Sequence, residues 1–168
     1  EGPRVFVERI DISGNIRTVD KVIRREFQVV EGDAFNAAKL RRSRQRIRDL
    51  NFFDKVEIER LPGSSPDKTI VKVQVEEKST GSLSFGVGYS TDNGPLFDLG
   101  VSESNLLGKG QKLGLNLSIA AEKSTVNISF TEPYFLDRDV AAGFDLYHSN
   151  QDLQDTRSYD FKKTGLGL

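Results

Sequence analysis

The residues that could do chemistry are few. His148 is the single histidine and there is no cysteine, so the chain lacks partners for a nucleophile–base pair or a thiolate metal site. Glu132 lies two residues from Tyr134 and could pair an acid with a polar group, but Pro133 between them points to a turn with a structural role. Asp98 and Asp145 fall on water-facing positions of separate segments and form no dyad. Lys39, Arg41, Arg42, Arg44, Arg46 and Arg48 crowd one helical stretch and could hold phosphates. No aromatics interleave with them and the net charge is only -1, so they read as a solvated face, with no nucleic-acid partner. No catalytic, cofactor-binding or metal-binding residue is expected.

The strongest pattern is periodic. Leu83, Phe85, Val87 and Tyr89 alternate with Ser82, Ser84, Gly86, Gly88 and Ser90, so a strand there has one greasy and one wet face. The same rhythm returns in Phe97, Leu99 and Val101, in Leu113, Leu115, Leu117 and Ile119, and in Val126, Ile128 and Phe130. Val140, Ala142, Phe144 and Leu146 continue it. Tyr159 and Phe161 share a phase that Leu166 and Leu168 break, and Lys162-Lys163 suggests a bulge or an exit from lipid. About six antiparallel strands of a transmembrane β-barrel are expected, short of the roughly eight that the smallest barrels need. No run of 18 apolar residues is present, and a barrel needs none.

The first part reads differently. It holds 17 of the 24 Lys and Arg but only 4 of the 15 Gly, and the composition changes near Ser79. Residues 1–79 and 80–168 are therefore expected to be separate domains. Val5, Val7, Ile10 and Ile12 form an opening strand whose alternation slips at Glu8-Arg9, ended by Gly14-Asn15. Thr18 is placed to cap a helix burying Val19, Val22, Ile23 and Phe27. A second helix, Asn36 to Leu50, buries Ala37, Leu40, Ile47 and Leu50. Val56 with Ile58, then Ile70 to Val75, give two strands around a loop at 62–66. The result is an α+β domain of order β-α-α-β-β, with two helices on one face of a three-stranded sheet.

This order resembles a POTRA domain, with Gly-Asp-Ala-Phe at 32–35 and Asn-Phe-Phe-Asp-Lys-Val at 51–56. Beyond it, Thr-Gly-Ser-Leu-Ser-Phe-Gly-Val-Gly-Tyr-Ser at 80–90, Asn-Leu-Leu-Gly-Lys-Gly at 105–110 and Glu-Pro-Tyr-Phe at 132–135 look like the BamA family of outer-membrane protein assembly factors. The resemblance covers the last POTRA domain and the first barrel strands. It implies a Gram-negative outer membrane, with the N-terminal domain in the periplasm.

In that setting Thr91 to Gly94 and Ala121 to Ser124 are external, and Ser149 to Arg157 is the longest external loop. Glu103 to Gln111 and Thr131 to Asp139 are periplasmic, and Tyr134, Phe135 and His148 are interfacial. The resemblance implies that Gly81, Ser82, Leu83, Ser84, Phe85, Gly86, Val87, Gly88, Tyr89 and Ser90 form a gate strand whose seam opens so that a client strand can add to it. Asp54, Lys55, Val56, Glu57, Ile58, Glu59 and Arg60 form the POTRA edge that receives unfolded clients, while the helical surface docks periplasmic accessory lipoproteins. Gly81, Gly86 and Gly88 suit either a weak seam or relief of crowding inside a curved barrel. A TamA-like or two-partner secretion pore and a soluble periplasmic β-rich binding module are the other readings; the apolar face of the first four strands, free of charge, speaks against the last.

Overall fold

A computed structural model describes residues 3–151 and 156–162. Contacts divide the chain into Glu1–Ser79 and Thr80–Leu168.

The first unit holds β1 (Phe6–Ser13), α1 (Asp20–Arg24), α2 (Ala37–Asp49), β2 (Phe53–Pro62) and β3 (Lys68–Glu77). The sheet order is β1-β3-β2, with β1 parallel and β2 antiparallel to β3. Central β3 is the β-branched run of the domain, and Thr69, Val71, Val73 and Val75 all turn inward. Val22, Ile23, Leu40 and Ile47 cover that face. The slip in the first strand is real: its register shifts between Val7 and Arg9, which lets Val7 and Ile10, three apart, both reach the core. Gly14 takes φ +89°, and any Cβ there would strike the Val75 carbonyl.

Several helix details depart from expectation. Thr18 does not cap α1; Val19 holds the N-cap position, half exposed, and the short helix starts at Asp20. Thr18 is instead buried, its N–H donating to Glu77 Oε1 at 2.7 Å. In α2 Asn36 caps the start by accepting from the Lys39 N–H at 3.1 Å. Ala37, in the first turn, is exposed, and Ser43 takes an inward place with Leu40 and Ile47. Its hydroxyl is satisfied twice, donating to Lys39 O at 2.8 Å and accepting from the Gln28 N–H at 3.0 Å. The basic face is solvated at Lys39, Arg41, Arg42 and Arg48, but Arg44 Nε donates to Val56 O at 3.0 Å and Arg46 Nε pairs with the buried Glu26 at 3.1 Å.

The second unit is one meander of six strands: β4 (Gly81–Ser90), β5 (Gly94–Leu106), β6 (Gln111–Ala120), β7 (Lys123–Glu132), β8 (Ala142–Gln151) and β9 (Thr156–Lys162). Strands outrun their apolar cores at both ends. β5 continues to Leu106, shortening the turn expected from Glu103. The polar stretch Ser149 to Arg157 is mostly strand: Ser149, Asn150 and Gln151 pair with Ser158, Arg157 and Thr156. Polar composition there marks a strand that has left the apolar zone, which sequence cannot tell from a loop. Val140 lies outside β8, its carbonyl accepting from the Phe135 N–H at 2.8 Å. Lys162 pairs with Asp145, whereas Lys163, Leu166 and Leu168 lie outside the described residues.

Glu77, at the end of β3, holds the loop after β1 by accepting the N–H groups of Arg17 at 2.9 Å and Thr18 at 2.7 Å. Burial pushes its carboxyl up, but the bonds from Thr18 and Arg17 outweigh this and hold it below the ordinary value of 4.5. A depressed folded pKa gives stability that is complete above the unfolded pKa and lost as pH falls through the folded one. Glu77→Gln should therefore lower the stability of residues 1–79 by about 1–2 kcal/mol at pH 7. It should also flatten the acid-side loss below pH 4.5, read by denaturant titration across pH.

Candidate functional site

Register assembles the alternating residues into rows. On one face Leu83, Val101, Leu115, Ile128 and Leu146 stand in line; the next row is Phe85, Leu99, Leu117, Val126 and His148, and beyond it come Val87, Phe97 and Ile119. On the other face Gly86, Asp98, Ser118, Thr125 and Ser149 align, beside Ser84, Gly100, Asn116, Asn127 and Tyr147. The sheet is thus apolar on one side and polar on the other from β4 to β8.

The apolar zone crosses these rows obliquely. Its upper limit passes from Tyr89 through Ile119 and Val126 to β8, where the row above His148 is Asn150 paired with Ser124. Between β4 and β8 the limit descends by two rows if His148 belongs to the zone and three if it does not. At about 6.8 Å of strand per row and about 4.8 Å between strands, the slope is about 35–45°. That is the tilt of strands in a membrane barrel, where the lipid boundary is level and the strands are not. The lower limit steps down in the same sense: Glu103 ends it on β5, while Leu113, Phe130 and Phe144 extend it one row further. Gln111 Nε2 donates to Glu132 Oε2 at 2.7 Å just past that row. Glu132 also accepts from the Tyr134 N–H at 3.0 Å, so this acid shapes the turn.

Two sheet edges carry the candidate residues, β4 in the second unit and β2 in the first; β9 is the other edge of the second sheet. Among the described residues β4 pairs only with β5. Leu83, Phe85, Val87 and Tyr89 are 66–77% exposed, against 37–44% for Ile128, Phe144 and Leu146 inside the sheet, because among the described residues no strand lies beyond β4. Room around the glycines separates two causes. A Cβ on Gly114 would come within 2.6 Å of Ser129 Oγ, and one on Gly143 within 2.6 Å of Phe130 O. A Cβ on Gly88 would meet nothing within 4 Å, and one on Gly86 would make only ordinary contact with Asp98 at 3.6 Å. Backbone crowding accounts for Gly143, Gly114 faces only the rotatable Ser129 hydroxyl, and among the described residues nothing crowds Gly86 or Gly88.

In the first unit the edges differ. The outer side of β1 is closed by its own chain: Gly32 N–H donates to Val7 O at 2.7 Å, Val7 N–H to Asp33 O at 2.8 Å and Phe35 N–H to Val5 O at 2.7 Å. Glu31 and Arg24 close it further by bonding the Ile10 N–H and carbonyl at 3.0 and 3.2 Å. The other edge is β2, which carries Asp54 to Arg60 and among the described residues has β3 alone as partner strand. Sequence reasoning missed both the strap at 31–35 and the Arg44 bond to Val56. Gly32, at φ +95° and opening Gly-Asp-Ala-Phe, was the available signal for the strap.

Comparison with known proteins agrees with this geometry. Residues 5–78 match POTRA, the surface antigen variable number repeat, and residues 105–168 match the Omp85 superfamily domain. The outer membrane protein assembly factor BamA of Neisseria meningitidis is 38% identical over 149 residues, covering 87% of this chain and 18% of that protein. The crystal structure of BamA from Haemophilus ducreyi lacking POTRA domains 1-3 superposes with a TM-score of 0.78 at 29% identity, covering 94% of this chain and 31% of that one. CdiB from Acinetobacter baumannii gives 0.59 at 15% identity over 88% of this chain and 28% of its own, a likeness of fold. The chain thus spans about a fifth of the length of the curated relatives it matches.

Neighbouring positions on β6 test the two faces. In the full-length protein folded into vesicles, Leu117→Arg should cost about 2–4 kcal/mol in denaturant unfolding. Ser118→Arg, opposite Asp98 on the polar face, should cost under about 0.5 kcal/mol. Rows, slope, edges and likeness converge: the chain belongs to the BamA family of the Omp85 superfamily, as a POTRA domain followed by the opening strands of its outer-membrane barrel.

Proposed function

We propose that this segment handles clients in outer-membrane protein assembly, receiving unfolded β-barrel proteins at the POTRA edge and inserting them by strand addition at the β4 seam. The observation that carries the reading is the likeness to proteins named as outer membrane protein assembly factors, joined to a ten-residue strand β4 that among the described residues has β5 alone as partner strand. In hydrocarbon each unpaired N–H and C=O costs several kcal/mol, so an incoming strand is far better placed against this edge than alone. The relatives named as assembly factors support the reading; CdiB, the fold neighbour at 15% identity, leaves a secretion pore as the weaker choice.

The rest follows from that role. The apolar rows meet outer-membrane lipid, accessory lipoproteins dock on the helical side of the POTRA domain, and Asp54 to Arg60 hold passing clients by backbone pairing. The activity is mechanical and needs no catalytic group.

Crosslinking tests the seam directly, since these 168 residues contain no native Cys. Cysteines placed along Gly81 to Ser90 and along the last barrel strand of the full-length protein should, once oxidised, stop client assembly, and reductant should restore it. Continued assembly by the locked protein would show that β4 is ordinary wall. Gly88→Val gives a milder version. The side chain has room, so the barrel should form normally while client insertion slows several-fold as the seam gains β propensity.

A further inference from the structure

The open edge of β2 has a charged lip. The buried stripe of α2 is Leu40, Ser43 and Ile47, and each of these is followed by an arginine: Arg41, Arg44 and Arg48. One residue is about 100° of helix, so the three guanidinium groups share one flank beside the stripe. Arg44 identifies that flank, because its Nε meets Val56 O at 3.0 Å. Strand carbonyls lie in the plane of the sheet, so an exposed side chain from the overlying helix reaches only one that points away from β3, along the free edge. The side chains of Arg41 and Arg48 are exposed and, among the described residues, make no hydrogen bond or ion pair. On the opposite face of the same edge stand Lys55, Glu57 and Glu59, which are exposed and of mixed sign.

A strand adding to β2 would point alternate side chains at these two lips. From Arg41 to Arg48 the helix rises about 10 Å, enough for two successive same-face residues of a strand about 6.8 Å apart. Carboxylates at those positions would be met by planar donors suited to them, while uncharged or basic side chains would leave the guanidinium row unpaired.

We propose that the β2 edge selects extended segments with carboxylates at alternate positions, which pair with Arg41, Arg44 and Arg48 as the backbone adds along Asp54 to Arg60. This rests on the reading of that edge as a client site and names the clients it prefers.

Three labelled nine-residue peptides, identical except for Glu, Gln or Lys at alternate positions, test it against the full chain in zwitterionic micelles, with amide shifts of β2 recorded. The Glu peptide should bind about tenfold more tightly than the Gln peptide at low salt, with the ratio collapsing at high salt. Arg41→Gln with Arg48→Gln, both surface changes, should cut the preference to about twofold, the share left to Arg44, with β2 shifts still seen for the Gln peptide. Equal affinities with β2 shifts present would overturn the charge selection and leave the edge reading standing. No β2 shift with any peptide would remove the edge reading itself. Micelles doped with phosphatidylglycerol should compete weakly; if they displace the Glu peptide and contact Arg41 and Arg48 themselves, the lip is a lipid contact and the proposal falls.

Discussion

Every strand must do something with the hydrogen-bonding groups on its outer side, and that obligation organises both units of this chain. β1 meets it with its own backbone, through the strap at Gly32 to Phe35 and the side chains of Glu31 and Arg24. β2 meets it at one point, through Arg44, and among the described residues has no partner strand beyond β3. β4 has no partner beyond β5 among the described residues, and it lies in the apolar zone where water is no substitute. These three of the four sheet edges therefore run from closed to costly, and the proposed insertion step sits at the costly end.

The two-faced sheet is the other half of that arrangement. Because side chains alternate strictly, a strand presents lipid and water to its two sides with no change of backbone, and register carries the division from β4 to β8. The slope of the apolar zone means that equivalent depths fall at different points of each strand. Val126 and Ser124, one row apart on β7, lie either side of a boundary that on β6 falls beyond Ile119.

The fold was legible where periodicity was unopposed. The alternations from Leu83 to Phe130, the slip at Glu8-Arg9 and the span of α2 can all be read directly, because each is set by burial of one face. What could not be read depended on partners distant in the chain. Thr18 has the chemistry of a cap, but Glu77 claims its backbone from 59 residues away. Ser43 sits among buried apolar side chains because Gln28 and Lys39 satisfy its hydroxyl, and Arg44 passes for a solvated charge until β2 lies beside it. Polar strand ends such as Ser149 to Gln151 mislead for another reason: composition reports the surroundings of a side chain, and a strand keeps its backbone pairing after its surroundings change.

The pairing order of the second unit bears on how such a sheet comes to exist. From β4 to β8 each strand pairs with the next in sequence, across connections as short as the two residues between β6 and β7. Loop-closure entropy grows with the length of chain enclosed, so these hairpins close early and cheaply, one after another. The outer edge of β4 is the exception. The strand that follows holds its other side, and among the described residues no strand pairs with this one. A partner strand drawn from further along the polypeptide or from another one would close a longer loop, and such a contact forms later than the hairpins.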